Sequence, residues 1–274
     1  MIDVTFETLK DGLCEGQDQL CKAMVKVGSK EEHGKGEFPL NLAIVIDNSG
    51  SMSGPKFQAA KDAANGILEQ LSEYDSASVG FYSDDFEHIG TAKGKDKSSI
   101  ESVLSKLHFQ PLGGVTNLHK GWLEGASSIS NSSALIGVRR VLLLTDGLAN
   151  RGIVDTAKIV DQVSALAERG ISTSTMGIGQ DFNEELLTQM ATYGQGNAYY
   201  SEEAEDLLDG YQEELQAIKN SSALNVILHM QPMHNIKMEI KNRYVKAQDG
   251  WKLPHLSNGG EIHSLFDFWI DESA

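Results

Sequence analysis

An uninterrupted apolar run, Leu42–Ile46, ends directly in the polar string Asp47-Asn48-Ser49-Gly50-Ser51. Because the run has no polar alternation, it predicts a strand that is covered on both faces, as strands of a parallel sheet are. A second run of this kind, Val141–Leu144, ends in Thr145-Asp146-Gly147. Two buried strands that each end in polar residues indicate a fold built around a central parallel sheet.

Strand-like and helix-like segments alternate from about residue 40 to residue 200. The strand pattern covers 42–46, 77–82, 86–91, 138–145, 171–178 and 198–201, and the helical pattern covers 55–74, 96–107, 117–130, 155–169, 183–193 and 203–219. The strand at 86–91 is more polar than the others, and we expect it to pair antiparallel at an edge. The alternation predicts an α/β fold, in which a doubly wound, mostly parallel, Rossmann-like sheet carries helices on both faces.

The two ends of the chain differ from this central part, because their strand-like segments follow one another without a helix. These segments are 2–9, 20–27, 224–230, 236–241 and 262–270. They predict a small antiparallel β unit built from both chain ends. Residues 1–38 and 221–274 would form this unit, and residues 39–220 would form the α/β domain inserted between them. An additional chain could cover the edges of the β unit.

The acidic composition limits the partners that the chain can have. Its 274 residues carry a formal net charge of −16, and the pI is about 4.8. Such a surface repels nucleic acid and anionic membranes, so neither is expected as a partner. No apolar stretch approaches the roughly 20 residues that span a bilayer, and no membrane span is expected.

The cysteines and the start of the chain bear on location. Cys14 and Cys21 flank the tip of a predicted hairpin, where a local disulfide is geometrically possible but disfavoured in a reducing cytoplasm. If Met1 is the native start, the lack of a signal-peptide pattern predicts a cytoplasmic protein. If a signal has been trimmed, an extracellular or periplasmic location is expected instead.

Three loops can supply oxygen ligands at the carboxyl edge of the predicted sheet. They are Asp47–Ser51, Gly113–Asn117 and Thr145–Gly147. In open α/β sheets, ligands bind beyond the carboxyl ends of the strands, where the topology changes direction. Taken singly, each loop also fits a helix cap or an ordinary turn. Together, their carboxylates and hydroxyls predict a site for a hard divalent cation, Mg²⁺ in particular.

The order of these residues resembles the von Willebrand factor type A domain: DxSxS, then a threonine in a glycine loop, then a strand that ends in TDG. The resemblance covers about residues 40–219, and the flanking β segments resemble bacterial and inter-alpha-inhibitor-like members of the family. In that family the motif forms a metal-ion-dependent adhesion site (MIDAS). Its five positions are filled here by Asp47, Ser49, Ser51, Thr116 and Asp146.

The resemblance implies a metal-dependent protein-binding module rather than an enzyme. The three hydroxyls would bind Mg²⁺ directly, with Mn²⁺ or Ca²⁺ as alternatives, and the two carboxylates would bind it directly or through water. An Asp or Glu side chain presented by another protein would complete the coordination of the ion. Three residues would rim the site: Asn48, Met52 and Asn117. Asn117 would also brace the loop of Thr116 by a hydrogen bond.

Two other functions remain open at this point. A Mg²⁺-dependent phosphotransferase of the haloacid dehalogenase type also places an aspartate after its first buried strand. Its acid–base chemistry normally uses a second carboxylate two residues later, where this chain has Ser49. The other alternative is a structural subunit with a vestigial metal site, which a lack of response to Mg²⁺ in thermal unfolding would indicate.

Overall fold

The computed structural model describes residues 2–8, 19–30, 38–107, 114–130, 137–202, 206–224, 226–232, 236–242, 244–247 and 250–270. The chain divides into two compact units. One unit is formed by residues 37–219, and the other by residues 1–36 together with residues 220–274. Each unit has its own sheet and its own hydrophobic core.

The secondary-structure elements of the described residues are numbered in chain order. The strands are β1 (Ile2–Thr8), β2 (Gln19–Ser29), β3 (Leu40–Asp47), β4 (Ser76–Tyr82), β5 (Phe86–Lys93), β6 (Val138–Thr145), β7 (Ile171–Ile178), β8 (Gln195–Ser201), β9 (Ser221–Ala223), β10 (Ile227–Leu228), β11 (Ile236–Ile240), β12 (Val245–Ala247), β13 (Gly250–Lys252), β14 (Leu256–Ser257) and β15 (Glu261–Ile270). The α-helices are α1 (Pro55–Glu69), α2 (Lys97–Lys106), α3 (Leu118–Ser130), α4 (Thr156–Glu168), α5 (Glu184–Tyr193) and α6 (Leu207–Lys219), and Gly50–Met52 forms a single 3₁₀ turn.

The sheet of the unit 37–219 has the strand order β5-β4-β3-β6-β7-β8. Strand β3 lies between β4 and β6 and is parallel to both, and all of its residues are buried. Strand β5 pairs antiparallel with β4 at the edge, as its polar sequence predicted. The predicted α/β fold with a mostly parallel sheet is therefore confirmed.

Helices cover both faces of this sheet. On one face, Val45 of β3 and Leu143 of β6 belong to a core cluster with Trp122 of α3 and residues of α4 and α5. On the opposite face, the Phe57 ring of α1 packs against Phe81 of β4 at a centroid distance of 5.3 Å. Helix α6 lies beside α1 on that second face. Because neither face is exposed to water, the central strands can be apolar without alternation.

Helix α1 ends earlier than the sequence pattern predicted, at Glu69 rather than near Tyr74. The cause is Asp75, whose buried carboxylate accepts hydrogen bonds from the N–H and hydroxyl of Ser72 and from the N–H of Leu40. These bonds favour a turn after the helix, and they tie that turn to the start of β3. Periodicity alone does not report such a competing local bond.

The unit formed by the chain ends contains a four-stranded antiparallel sheet in the order β1-β2-β15-β11. Alternate residues of β15 face its core, where Phe266 packs with Val25, Leu253 and Leu256. The predicted antiparallel β unit from both ends is confirmed. The predicted strand over 224–230 is shorter, Ile227–Leu228. The question of a Cys14–Cys21 disulfide falls on Cys14, which lies outside the described residues.

None of the helices in the described ranges has the length and apolar character needed to cross a membrane.

Candidate metal-binding site

The candidate site lies at the carboxyl edge of the central sheet, where β3 and β6 run side by side. The crossover from β3 leads to β4 on one side, and the crossover from β6 leads to β7 on the other. Their loops therefore diverge and leave a crevice between them, as at ligand sites of other open α/β sheets. Asp47 ends β3, and Asp146 directly follows β6.

Asp47 is fully buried and held by hydrogen bonds on both carboxylate oxygens. Its Oδ1 accepts the N–H of Ser49 at 2.8 Å, and its Oδ2 accepts the hydroxyl of Thr145 at 2.8 Å. The hydroxyl of Tyr82 lies 3.3 Å from the same Oδ2. Burial raises the pKa of Asp47 above its ordinary value, although the bonds from Ser49 and Thr145 act against this rise. The fold thus keeps a carboxylate at a place where its negative charge is costly without a nearby cation.

The hydroxyls of Ser49 and Ser51 lie beside Asp146. The 3₁₀ turn Gly50–Met52 brings the two Oγ atoms to 3.1 Å from each other. The Ser51 hydroxyl donates to Oδ1 of Asp146 at 2.7 Å, although the two residues are far apart in sequence. Lys56 of α1 donates from Nζ to Oδ2 of the same carboxylate at 2.7 Å.

Thr116 reaches the same crevice from the loop before α3. A Cβ atom placed on Gly147 would lie 3.7 Å from the Oγ1 of Thr116 and 3.7 Å from the Oγ of Ser51. The two hydroxyl oxygens are therefore separated by no more than twice that distance. The structure thus brings together the side chains of all three predicted loops, since Ser51 also contacts Ser49 and Asp146.

The loop of Thr116 is fixed by Asn150, which the sequence analysis did not select. The N–H of Thr116 donates to Oδ1 of Asn150 at 2.8 Å, and the N–H of Asn150 donates to the carbonyl of Thr116 at 3.1 Å. This two-way pairing joins the loop before α3 to the loop after β6. Asn150 lies four residues after Asp146 in a segment without a recognised motif, so no sequence signal marked it.

The three residues predicted to rim the site differ in their surroundings. Met52 is fully buried, and Asn48 is nearly so. Met52, which was predicted to be part of the partner-binding rim, has its apolar side chain buried at the 3₁₀ turn, so it offers no exposed surface to a partner. Within the described part of the chain, the buried Oδ1 of Asn48 has no hydrogen-bond donor. A buried acceptor without a donor calls for a further partner such as water or an ion.

Asn117, the third predicted rim residue, acts as a brace for its loop. Its N–H donates to the carbonyl of Ser83 at 2.8 Å, and its side-chain amide lies 3.4 Å from the carbonyl of Asp84. Both bonds lead to the loop between β4 and β5. The loop that carries Thr116 is therefore tied to its neighbours on two sides.

The ligand atoms available here are hydroxyl and carboxylate oxygens. Among the described residues, no group of three or more His, Cys, Asp or Glu side chains is arranged to hold a metal. The donor set therefore lacks the nitrogen and sulfur ligands typical of structural zinc sites. Neutral hydroxyls with a few carboxylates match the oxygen chemistry of Mg²⁺ and similar hard cations.

Comparison with known proteins identifies the family. The sequence model of the von Willebrand factor type A domain family matches residues 41–214. The chain belongs to this family. Relatives of this von Willebrand factor type A chain include an uncharacterised protein of Synechocystis sp., 25% identical over 84% of the chain. Human inter-alpha-trypsin inhibitor heavy chain H3 is 30% identical over 65% of the chain.

Solved structures show the same fold. A von Willebrand factor type A protein from Catenulispora acidiphila has a TM-score of 0.78 at 17% identity, over 98% of this chain and 65% of that one. Proximal thread matrix protein 1 of the mussel byssus has been solved with a zinc-occupied MIDAS motif. Its TM-score is 0.54 at 19% identity, and the match covers 70% of this chain and 47% of the mussel chain. The relatives are longer than this chain, which covers 53% of the Synechocystis protein and 21% of the human heavy chain.

Proposed function

We propose that this von Willebrand factor type A chain is a protein-binding module that uses a divalent cation, Mg²⁺ first, to bind a carboxylate of its partner. Mn²⁺ and Ca²⁺ are the alternative ions. The direct ligands would be the hydroxyls of Ser49, Ser51 and Thr116. Asp47 and Asp146 would contribute negative charge, either directly or through water.

The observation that carries this proposal is the convergence of hydroxyls around Gly147. The Oγ1 of Thr116 and the Oγ of Ser51 lie at equal distances, 3.7 Å, from the Cβ position of Gly147. Three segments that are distant in sequence therefore present oxygen atoms to one crevice. The cost of burying Asp47 as an anion fits a nearby cation. The buried Oδ1 of Asn48, the next residue in the chain, has no hydrogen-bond donor among the described residues. The zinc-occupied site of the mussel protein supports the same conclusion by analogy of fold.

The chemistry of the donor set supports binding of a carboxylate. Hydroxyl ligands are neutral, so an ion bound to them keeps most of its charge for a further ligand. Mg²⁺ takes six oxygens in near-octahedral geometry and fills missing positions with water, which a carboxylate can displace. The net charge of −16 opposes the approach of an acidic partner at long range. Recognition would therefore depend on the short-range contact with the ion.

The response of thermal unfolding to Mg²⁺ tests the proposal. A ligand that binds only the folded state stabilises it by about 2.7 kcal/mol at a concentration of 100 times its Kd. We expect Mg²⁺ to raise the unfolding temperature of the full chain relative to chelator. Thr116→Ala should lose this rise, whereas Thr188→Ala, a matched change at an exposed position of α5, should keep it. An equal rise in Thr116→Ala would overturn the site assignment.

The rival enzymatic function makes a separate prediction. In a phosphotransferase of the haloacid dehalogenase type, the residue two positions after the first aspartate supplies acid–base catalysis. Here that residue is Ser49, whose hydroxyl is hydrogen-bonded to Ser51 and is a poor base near neutral pH. We therefore expect no turnover of a generic phosphate ester by the Mg²⁺-loaded chain. Turnover that Asp47→Asn abolishes would favour the enzyme.

A further inference from the structure

Lys56 places a positive charge inside the candidate site. It lies in the first turn of α1, and its Nζ binds Oδ2 of Asp146 at 2.7 Å. The Asp146 side chain is fully buried, while the Lys56 side chain is 33% exposed. The other oxygen of this carboxylate, Oδ1, accepts the hydroxyl of Ser51. Asp146 is therefore shared between one proposed metal ligand and one fixed cation.

Two further features describe the surroundings of this ammonium group. Gly179, which follows β7 with φ of +83°, lies beside Lys56, since a Cβ atom at this position would be 3.3 Å from Nζ. A lysine in the first turn is also opposed by the helix dipole, which favours acidic side chains there. The contact with Asp146 offsets that unfavourable position.

We propose that Lys56 tunes the candidate metal site by holding Asp146 back from direct coordination of the ion. This inference rests on the proposed function and adds a residue that controls how the site binds its cation. With Lys56 in place, the two carboxylates and the ammonium of the site sum to one negative charge. The ion then depends on neutral hydroxyls, is bound weakly, and keeps water in positions that a partner carboxylate can take.

Coulomb's law gives the direction in which metal affinity changes when Lys56 is replaced. Removal of the ammonium leaves both carboxylates without a compensating charge, and it frees Oδ2 of Asp146. The attraction of the site for a divalent cation then increases, because the positive ammonium group no longer repels the cation at short range. The freed carboxylate can also replace a water molecule on the ion. A lysine that did not hold Asp146 away from the ion would, when replaced, leave the number of water molecules on the ion unchanged.

The test compares metal binding by the full chain before and after the charge is removed. Kd values for Mg²⁺ and Mn²⁺ are measured by calorimetry for the wild type, Lys56→Met and Lys56→Gln. Lys158→Met, a first-turn lysine of α4 that is exposed, serves as the matched control. Thermal unfolding in chelator checks that each variant folds, and the second substitution at position 56 guards against a poorly folded first one.

We expect at least fivefold tighter binding of both ions in the two Lys56 variants and a change of less than twofold in Lys158→Met. The number of waters on bound Mn²⁺, counted by paramagnetic resonance in ¹⁷O-labelled water, should fall when Lys56 is removed. Equal or weaker metal binding in both Lys56 variants would overturn the inference, and an unchanged water count would overturn its claim about Asp146. A wild type that binds neither ion would instead overturn the proposed function together with the inference.

Discussion

At the scale of single residues, the position of the Thr116 hydroxyl depends on backbone bonds rather than on the threonine itself. Asn150 pairs with both the N–H and the carbonyl of Thr116. Because Asn150 contributes no atom to the proposed metal coordination, its role is to position a ligand. Partners of this kind commonly affect metal affinity by 10-fold to 100-fold.

Asn150→Ala is expected to weaken Mg²⁺ binding by about tenfold, because the Thr116 loop loses its side-chain acceptor. The measurement is calorimetric titration with Mg²⁺. Asn183→Ala is the matched control, since Asn183 also accepts one backbone N–H, that of Leu186 at the start of α5. The control should lose about 1 kcal/mol of stability as a helix cap but keep its Mg²⁺ affinity. Equal losses of affinity in both variants would contradict the positioning role.

At the scale of elements, α3 approaches the sheet closely because it carries two glycines on its inner face. A Cβ atom on Gly121 would overlap the ring of Tyr82, and one on Gly125 would overlap the side chain of Val45. Glycine is a poor helix former, so its presence in the middle of a helix needs a reason in the packing. The close approach sets where the preceding loop, with Thr116, meets β3 and β6.

Gly125→Ala should destabilise the chain by about 1–3 kcal/mol despite the better helix propensity of alanine, because the core at Val45 would be overpacked. Gly210→Ala in α6 is the matched substitution. A Cβ there would lie at an ordinary contact distance, 3.7 Å or more, from Tyr199. The free energy of unfolding of Gly210→Ala should exceed that of the wild type by about 0.5–1 kcal/mol. Denaturant unfolding measures both, and stabilisation by Gly125→Ala would refute the packing argument.

Helix α6 is joined to the sheet by a buried ion pair. Glu214 of α6 pairs with Arg140 of β6 and accepts hydrogen bonds from Ser174 at 2.7 Å, Asn197 at 2.8 Å and Tyr199 at 3.0 Å. Burial raises the pKa of Glu214, but the charge of Arg140 and these hydrogen bonds outweigh it, so the pKa lies below the ordinary value of 4.5. The pair therefore stabilises the fold only while Glu214 is ionised.

The lowered pKa of Glu214 determines how the stability of the chain depends on pH. Since the folded chain binds the proton less readily than the unfolded chain, the contribution of Glu214 is complete above pH 4.5 and is lost as the pH falls below it. Glu214→Gln should lower the unfolding free energy by about 3 kcal/mol at pH 7, because Arg140 stays buried without its partner. The difference from the wild type should shrink at acidic pH. Glu213→Gln, at the exposed neighbouring position, should show neither effect, and a pH-independent difference would count against this account.

At the scale of the whole molecule, residues 37–219 contain the complete six-stranded sheet, the described helices and the candidate site. One of their core clusters includes Val45, Trp122 and Leu143, and the cluster of the other unit includes Val25, Leu253 and Phe266. A unit with its own core and a covered sheet is expected to fold by itself.

Residues 37–219 expressed alone should therefore unfold cooperatively and keep the Mg²⁺-dependent rise in unfolding temperature seen for the full chain. Circular dichroism during heating, with Mg²⁺ or chelator, measures both properties. The same segment with Thr116→Ala should fold but lose the rise. A segment that lacks cooperative unfolding would show that the chain ends are required for its stability.

The sequence alone predicted the order of strands and helices between residues 40 and 219, the insertion of this α/β part between strand-forming ends, and five candidate ligand positions. It did not predict the short strands β9, β12, β13 and β14. The predicted features follow from local patterns: apolar runs such as Leu42–Ile46, helical periodicity, and a short motif after a strand. The early end of α1 escaped this reasoning, because helical periodicity does not reveal the side-chain bonds of Asp75 with Ser72, three residues away, and with Leu40.

Further groups at the crevice could be identified only from the tertiary structure. It buried Met52, paired Asn150 with Thr116, and placed Lys56 on Asp146, which lies 90 positions away in the chain. Contacts between such distant residues depend on the strand order and on how closely helices pack against the sheet. No local sequence pattern predicts such contacts, since they result from the packing of the whole core.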